Sequence, residues 1–93
     1  VSPKPKVLVV DDEEAIRSSL RMIFEYEGYE CLLAANGQAA IKMAEREAPD
    51  LVFLDIKMPQ VDGMEVLKAI KSDESSPPVV ILSGHGTVAT AVA

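Results

Sequence analysis

The chain has 93 residues, 48% hydrophobic and 26% charged, a composition that gives one globular domain and excludes both a disordered segment and a pair of domains. Nine Lys and Arg against 15 Asp and Glu leave a net charge of −6, which disfavours direct nucleic-acid contact, since that depends on basic side chains at phosphates. Apolar runs such as Val7–Val10, Leu51–Leu54 and Val79–Leu82 fall far short of the roughly 20 residues a membrane-spanning helix needs.

The one cysteine, Cys31, has no partner for an internal disulfide, and no Cys/His set is present for a structural zinc. No basic-then-apolar signal segment is visible. A reducing, cytoplasmic setting is the expectation, with Cys31 packed as a small hydrophobe.

In chain order, residues 1–5 read as a flexible leader with two prolines. Lys6–Val10 is a β-branched apolar run, the pattern of a strand buried on both faces. From Glu13 to about Glu27 the spacing is helical, with Ile16, Leu20, Ile23 and Phe24 on one face. Asp12 is the expected N-cap and Gly28 the left-handed residue that closes the helix. Tyr29–Ala34 reads as a second strand. Asn36-Gly37 opens a second helix through Ala48, with Ala40, Ile41 and Ala44 inward, and Pro49 stops it.

Asp50–Leu54 is the third strand, followed by a loop over Ile56–Gly63. A third helix runs from Met64 to about Lys71, with Met64, Leu67 and Ile70 inward. After the polar connector Ser72–Pro78, Val79–Leu82 is a fourth strand. Thr87–Ala93 is ambiguous: its alanines favour helix, while Val88, Thr90 and Val92 favour strand.

The order βαβαβαβ with doubly buried strands specifies an α/β fold, a parallel sheet with helices on both faces. In the flavodoxin-like arrangement the strand order begins 2-1-3-4, and the ligand crevice lies where strands 1 and 3 end. Those ends carry Asp11, Asp12 and Asp55. Three converging carboxylates repel one another, and a divalent cation resolves the conflict. Oxygen-only ligands suit Mg²⁺, and an Asp beside it can act as a nucleophile toward phosphorus.

The set Val9-Val10-Asp11-Asp12-Glu13, Leu54-Asp55-Ile56-Lys57-Met58-Pro59 and Asp62-Gly63, with Ser83 after the fourth strand, resembles the receiver domain of two-component response regulators from Lys6 onward. The resemblance implies that Asp55 is the phosphoacceptor, that Asp12 binds Mg²⁺ directly and Asp11 mainly through water, and that the Lys57 backbone carbonyl completes the protein ligands. It assigns Ser83 as the switch hydroxyl and a sensor histidine kinase as phosphoryl donor. Ser83-Gly84-His85-Gly86-Thr87 and Thr90-Ala91-Val92-Ala93 are similar to receivers of sigma-54-dependent transcription activators of the nitrogen-regulation type. That finer likeness implies an output domain that binds DNA.

The family's fifth strand, with a lysine at its end, has no counterpart before Ala93. Residues 1–93 are therefore expected to be a receiver incomplete at its C-terminus, with strand 5 absent and Lys57 no substitute for the missing side chain. Val79–Leu82 would then be an unguarded edge, and self-association is the expected consequence. Simpler roles stand beside these: capping for Asp12 and Asp62, a turn hydroxyl for Ser83, an exposed loop position for His85. Two other functions remain open. One is an aspartate-nucleophile phosphatase of the haloacid dehalogenase type, whose Asp-x-Asp is missing at both strand ends; the other is an interaction module that is never phosphorylated.

Overall fold

The computed structural model describes residues 4–55, 63–71, 76–82 and 91–92. Its elements are β1 (Lys6–Val10), α1 (Glu14–Tyr26), β2 (Glu30–Ala34), α2 (Gly37–Glu47), β3 (Leu51–Asp55), α3 (Gly63–Ile70), β4 (Val79–Leu82) and β5 (Ala91–Val92). The sheet order is β2-β1-β3-β4-β5. β1, β2, β3 and β4 are all parallel, as the alternating pattern requires.

Beyond β4 there is no parallel fifth strand among the described residues. Ala91–Val92 instead pairs antiparallel with β4, Val80 opposite Val92 and Ile81 opposite Ala91. The ambiguous tail is thus extended at these two positions. The edge expected to be bare on Val79–Leu82 is paired over two residues by the same chain, because unpaired strand donors and acceptors take the nearest β-branched segment available.

Register divides the sheet into two faces. Leu8, Val10, Ala34, Val52, Leu54, Val79 and Ile81 form the main core with Ala40 of α2 and Val66 and Ile70 of α3. Each fully buried aliphatic side chain here contributes about 1.5–3 kcal/mol relative to exposure. On α2, Ala40 is buried, and Ile41 and Ala44 pack against the core as their spacing predicts. On α3, Val66 is buried, a position the spacing analysis passed over; Leu67 and Ile70 pack as expected, and the side chain of Met64 lies outside the described residues.

The other face carries Val7, Val9, Leu33, Phe53 and Val80, and α1 packs there. Phe24 meets Phe53 at a ring separation of 4.9 Å. The expected inward stripe of α1 is only half covered: Leu20 and Phe24 are half-buried, while Ile16 is 39% and Ile23 57% exposed, and no α1 residue is fully buried. The reason is geometric. α2 and α3 pack on each other and share one face, whereas α1 meets only β1 and β2 in numbers and lies alone on the second face among the described residues. A single helix cannot close both flanks of its own apolar stripe.

Helix termini explain the boundaries. α1 ends at Tyr26 with Glu27 as its C-cap, and Gly28 closes it as the expected left-handed residue, at φ +94°. The Gly28 amide donates to the Glu25 carbonyl and the Tyr29 amide to that of Phe24, the paired bonds of a Schellman closure. Its usual apolar contact is the edge-on packing of Phe24 and Tyr29, 6.0 Å between centroids. α2 is capped by Asn36, whose side chain accepts from the Ala39 amide at 2.8 Å. It ends at Ala48, which is held left-handed at φ 48°, ψ 62° just before Pro49. The two left-handed positions make opposite predictions. Gly28→Ala meets no atom within 4 Å, so its cost is backbone strain alone, about 1 kcal/mol; Ala48→Gly relieves the same strain and stabilises by up to about 1 kcal/mol. Urea midpoints of the two variants, moving in opposite directions from wild type, check both.

Candidate metal centre

The β1–β3 register places Val10 beside Leu54, so the residues that follow, Asp11 and Asp55, end adjacent strands at one end of the sheet. One carboxylate oxygen from each of Asp11, Asp12 and Asp55 lies within 4.8 Å of the others. Asp11 is 5% and Asp55 8% exposed, the buried polar residues among those described; Asp12 is exposed. Asp55 is the last residue of β3 and pairs with Leu82 of β4, so the strand itself delivers it to the crevice.

Asp11 is fixed at three atoms. Its amide donates to the Ala34 carbonyl at 3.1 Å, which extends the β1–β2 pairing by one residue. Its Oδ1 accepts from the Glu13 amide at 2.9 Å. Its carbonyl accepts from Arg17 Nη1 at 2.8 Å. Asp12 is not the N-cap that was expected. Glu13 occupies that position with no side-chain bond of its own, and the carboxylate that captures an amide at this turn is that of Asp11. Asp12 makes no side-chain hydrogen bond or ion pair among the described residues, which leaves its carboxylate free for the crevice.

Burial pushes the Asp11 carboxyl above its ordinary value; the Glu13 amide opposes this, and the charges of Asp55, Asp12 and Glu13 add to the upward push. For two buried carboxylates whose oxygens lie within 4.8 Å of each other, repulsion is at least on the order of 3 kcal/mol at an effective dielectric of about 20. Three hard oxygen donors, two of them withdrawn from water, are the donor set of a divalent cation.

Ser83, Lys57 and His85 lie outside the described residues, as do Met58, Pro59 and Asp62. Cys31 is half-buried in β2, and burial pushes its thiol up, consistent with a packing role. The residue that the sequence reading missed is Arg17. The available signal was a base in the first turn of a helix that opens on acids, where the helix dipole disfavours positive charge.

Residues 7–93 match the response regulator receiver domain. The chain belongs to this family. It is 43% identical over 81 residues to sporulation initiation phosphotransferase F of Bacillus subtilis (strain 168), which covers 87% of this chain and 65% of that protein. It is 38% identical over 87 residues to regulatory protein AtoC of Escherichia coli (strain K12), covering 94% of this chain and 19% of that protein. Among solved structures, Vibrio cholerae chemotaxis protein CheY4 superposes with a TM-score of 0.83 at 30% identity, over 91% of this chain and 72% of that one. The N-terminal domain of a response regulator receiver protein from Methanoculleus marisnigri JR1 gives 0.80 at 34%, over 89% and 69%. The chain thus spans less than two-thirds of the length of these two sequence relatives. No helix among the described residues is long and apolar enough to cross a membrane.

The charge crowding has a measurable sign. A carboxyl whose folded-state value is raised binds its proton more tightly in the native state than in the unfolded one, so ionisation costs stability above that raised value. The cost disappears as pH falls through it toward the unfolded value near 3.8. In metal-free buffer at neutral pH, Asp11→Asn is therefore expected to be more stable than wild type by about 1 kcal/mol, the size of an ordinary single-site effect. The gap should narrow toward acid, as pH falls through the raised value and the wild-type carboxyl takes up its proton. Urea titrations with chelator at several pH values measure it; a gap that widens toward acid contradicts the sign.

Proposed function

We propose that this receiver takes one phosphoryl group on Asp55 from a sensor histidine kinase, and that the resulting change of conformation controls an output domain. The observation that carries this reading is the convergence of Asp11, Asp12 and Asp55 within 4.8 Å at the ends of β1 and β3 in a chain of the receiver family. Asp55 is the nucleophile. One of its carboxylate oxygens attacks phosphorus in line, a bond to Asp55 forms and the bond from phosphorus to the donor's imidazole nitrogen breaks; that nitrogen keeps the electron pair and the ring takes up one proton from solvent, so the histidine departs as neutral imidazole. Asp11 and Asp12 would hold Mg²⁺ together with Asp55. Bound there, that ion supplies charge neutralisation for the phosphoryl oxygens. By the family resemblance the Lys57 carbonyl completes the ligand set and Ser83 turns toward the phosphoryl group.

The protein's own contribution is placement. Asp55 is rigid because it is the paired end of a buried strand, and Asp11 because three atoms of it are bonded. The crowding of three carboxylates is what favours a cation there. We read residues 1–93 as one receiver unit in a cytoplasmic signalling protein, with self-association of the chain open to test by sedimentation. The relatives named above and alkaline phosphatase synthesis transcriptional regulatory protein PhoP of Bacillus subtilis (strain 168), 42% identical over 78 residues, include two regulatory proteins. A transcriptional output is the reading they support, with the sigma-54-type likeness as its finer form.

Two experiments test this. Incubation with a small acyl phosphate and MgCl₂ should give one phosphoryl adduct per chain by mass spectrometry, lost in Asp55→Asn; repeated turnover of a phosphomonoester, or an adduct that survives the substitution, contradicts it. Saturating MgCl₂ should raise wild-type stability by about 1–3 kcal/mol by mass action. Asp12→Ala should lose most of that gain, read from paired thermal melts.

A further inference from the structure

Arg17 stands where helix electrostatics argue against it. It is the fourth residue of α1 and its side chain folds back over the helix N-terminus, the positive end of the dipole. Among the described residues it joins no ion pair, although Asp11, Asp12, Glu13 and Glu14 surround that turn. Its half-buried guanidinium instead donates to a backbone oxygen, the carbonyl of Asp11, at 2.8 Å.

That carbonyl belongs to the peptide unit joining Asp11 to Asp12. Peptide units are planar, so pinning the oxygen fixes the plane from which the Asp12 backbone departs, and with it the direction of the Asp12 side chain. The Asp12 carboxylate is exposed and has no bond of its own among the described residues, so its place depends on the peptide units either side of it, one held by the Glu13 amide on Asp11 Oδ1 and the other by Arg17. Asp11 is independently held by the Ala34 carbonyl and the Glu13 amide. We propose that Arg17 is a positioning residue whose bond to the Asp11 carbonyl sets the place of Asp12 for the cation, a role that rests on the Mg²⁺ reading of the site given above.

The proposal predicts a sign opposite to simple electrostatics. A cation beside an anionic site repels Mg²⁺, so removing its charge alone would tighten binding. Removing a positioning bond loosens it, and partners of this outer kind are typically worth about tenfold in metal affinity. The test is a titration of the full chain with MgCl₂, followed by amide chemical shifts without any phosphoryl donor. Arg17→Ala is expected to weaken Mg²⁺ binding about tenfold. Arg17→Lys, whose ammonium can still reach the carbonyl, should recover most of the loss. Should the alanine variant fail to fold, Arg17→Gln replaces it. Unchanged or tighter binding by the alanine variant, or a lysine variant as weak as alanine, overturns the positioning role while leaving the site intact. No binding by wild type overturns the Mg²⁺ reading itself and the positioning role with it.

Discussion

The parallel register of β1 against β3 is the constraint on which both core and site depend. Val10 lies beside Leu54 and Leu8 beside Val52, so one setting of two strands aligns their apolar faces and also brings Asp11 and Asp55 to the same end. A slip of one residue would turn the main-core side chains of β3 to the opposite face and would separate the two carboxylates by a residue's rise, about 3.3 Å. The register is held at the far end as well. The Lys6 amide donates to Asp50 Oδ2 and the Asp50 amide to the Lys6 carbonyl, each at 2.8 Å, and Lys6 Nζ reaches Glu47 at the close of α2. Burying the strands and placing the acids are therefore one event in folding.

The two faces of the sheet carry unequal loads. The α2/α3 face is sealed by small and branched side chains, with Ala40 allowing α2 to approach β1 and β2 closely. The α1 face is held by a few aromatic contacts from Phe24 to Phe53 and Tyr29, and Ile16 and Ile23 stay partly in water. The turn that carries Asp11 and Asp12 joins the sheet to this less buried helix. Its geometry consequently rests on discrete hydrogen bonds at Asp11 rather than on side-chain packing, and discrete bonds are the features that single substitutions remove.

Much of this was legible in the sequence. The βαβ alternation, the continuous apolar runs and Gly28 and Asn36 located the strands, crossovers and helix ends to within a residue or two, because those features act locally. The convergence of Asp11, Asp12 and Asp55 followed from strand order alone. What escaped depended on contacts between distant or unlike groups. Val66 was passed over because helical spacing admits two neighbouring inward stripes on α3. Coverage of α1 could not be read from its own periodicity, since it depends on how many helices share that face. Asp12 looked like a cap because the residue type suits one, but Asp11 took the amide and left Asp12 unpaired. The return of Ala91–Val92 onto β4 was undecided by a segment whose alanines and β-branched residues pull in opposite directions.

Stability and function are opposed at the crevice. An apolar residue at position 11 would sit comfortably at 5% exposure, whereas the carboxyl there is pushed up by its own burial and by three neighbouring acids. The fold tolerates this because both strands that carry the buried acids are anchored elsewhere, through the core side chains and the Lys6–Asp50 pairing. The strain is thus local and electrostatic, with no buried described side-chain polar atom left without a partner. It is relieved by adding positive charge where the three oxygens meet, and a rigid sheet cannot relieve it by moving the strands apart. A site of this kind responds to what enters it through changes in charge, and its most adjustable member is Asp12, held by a single turn of backbone.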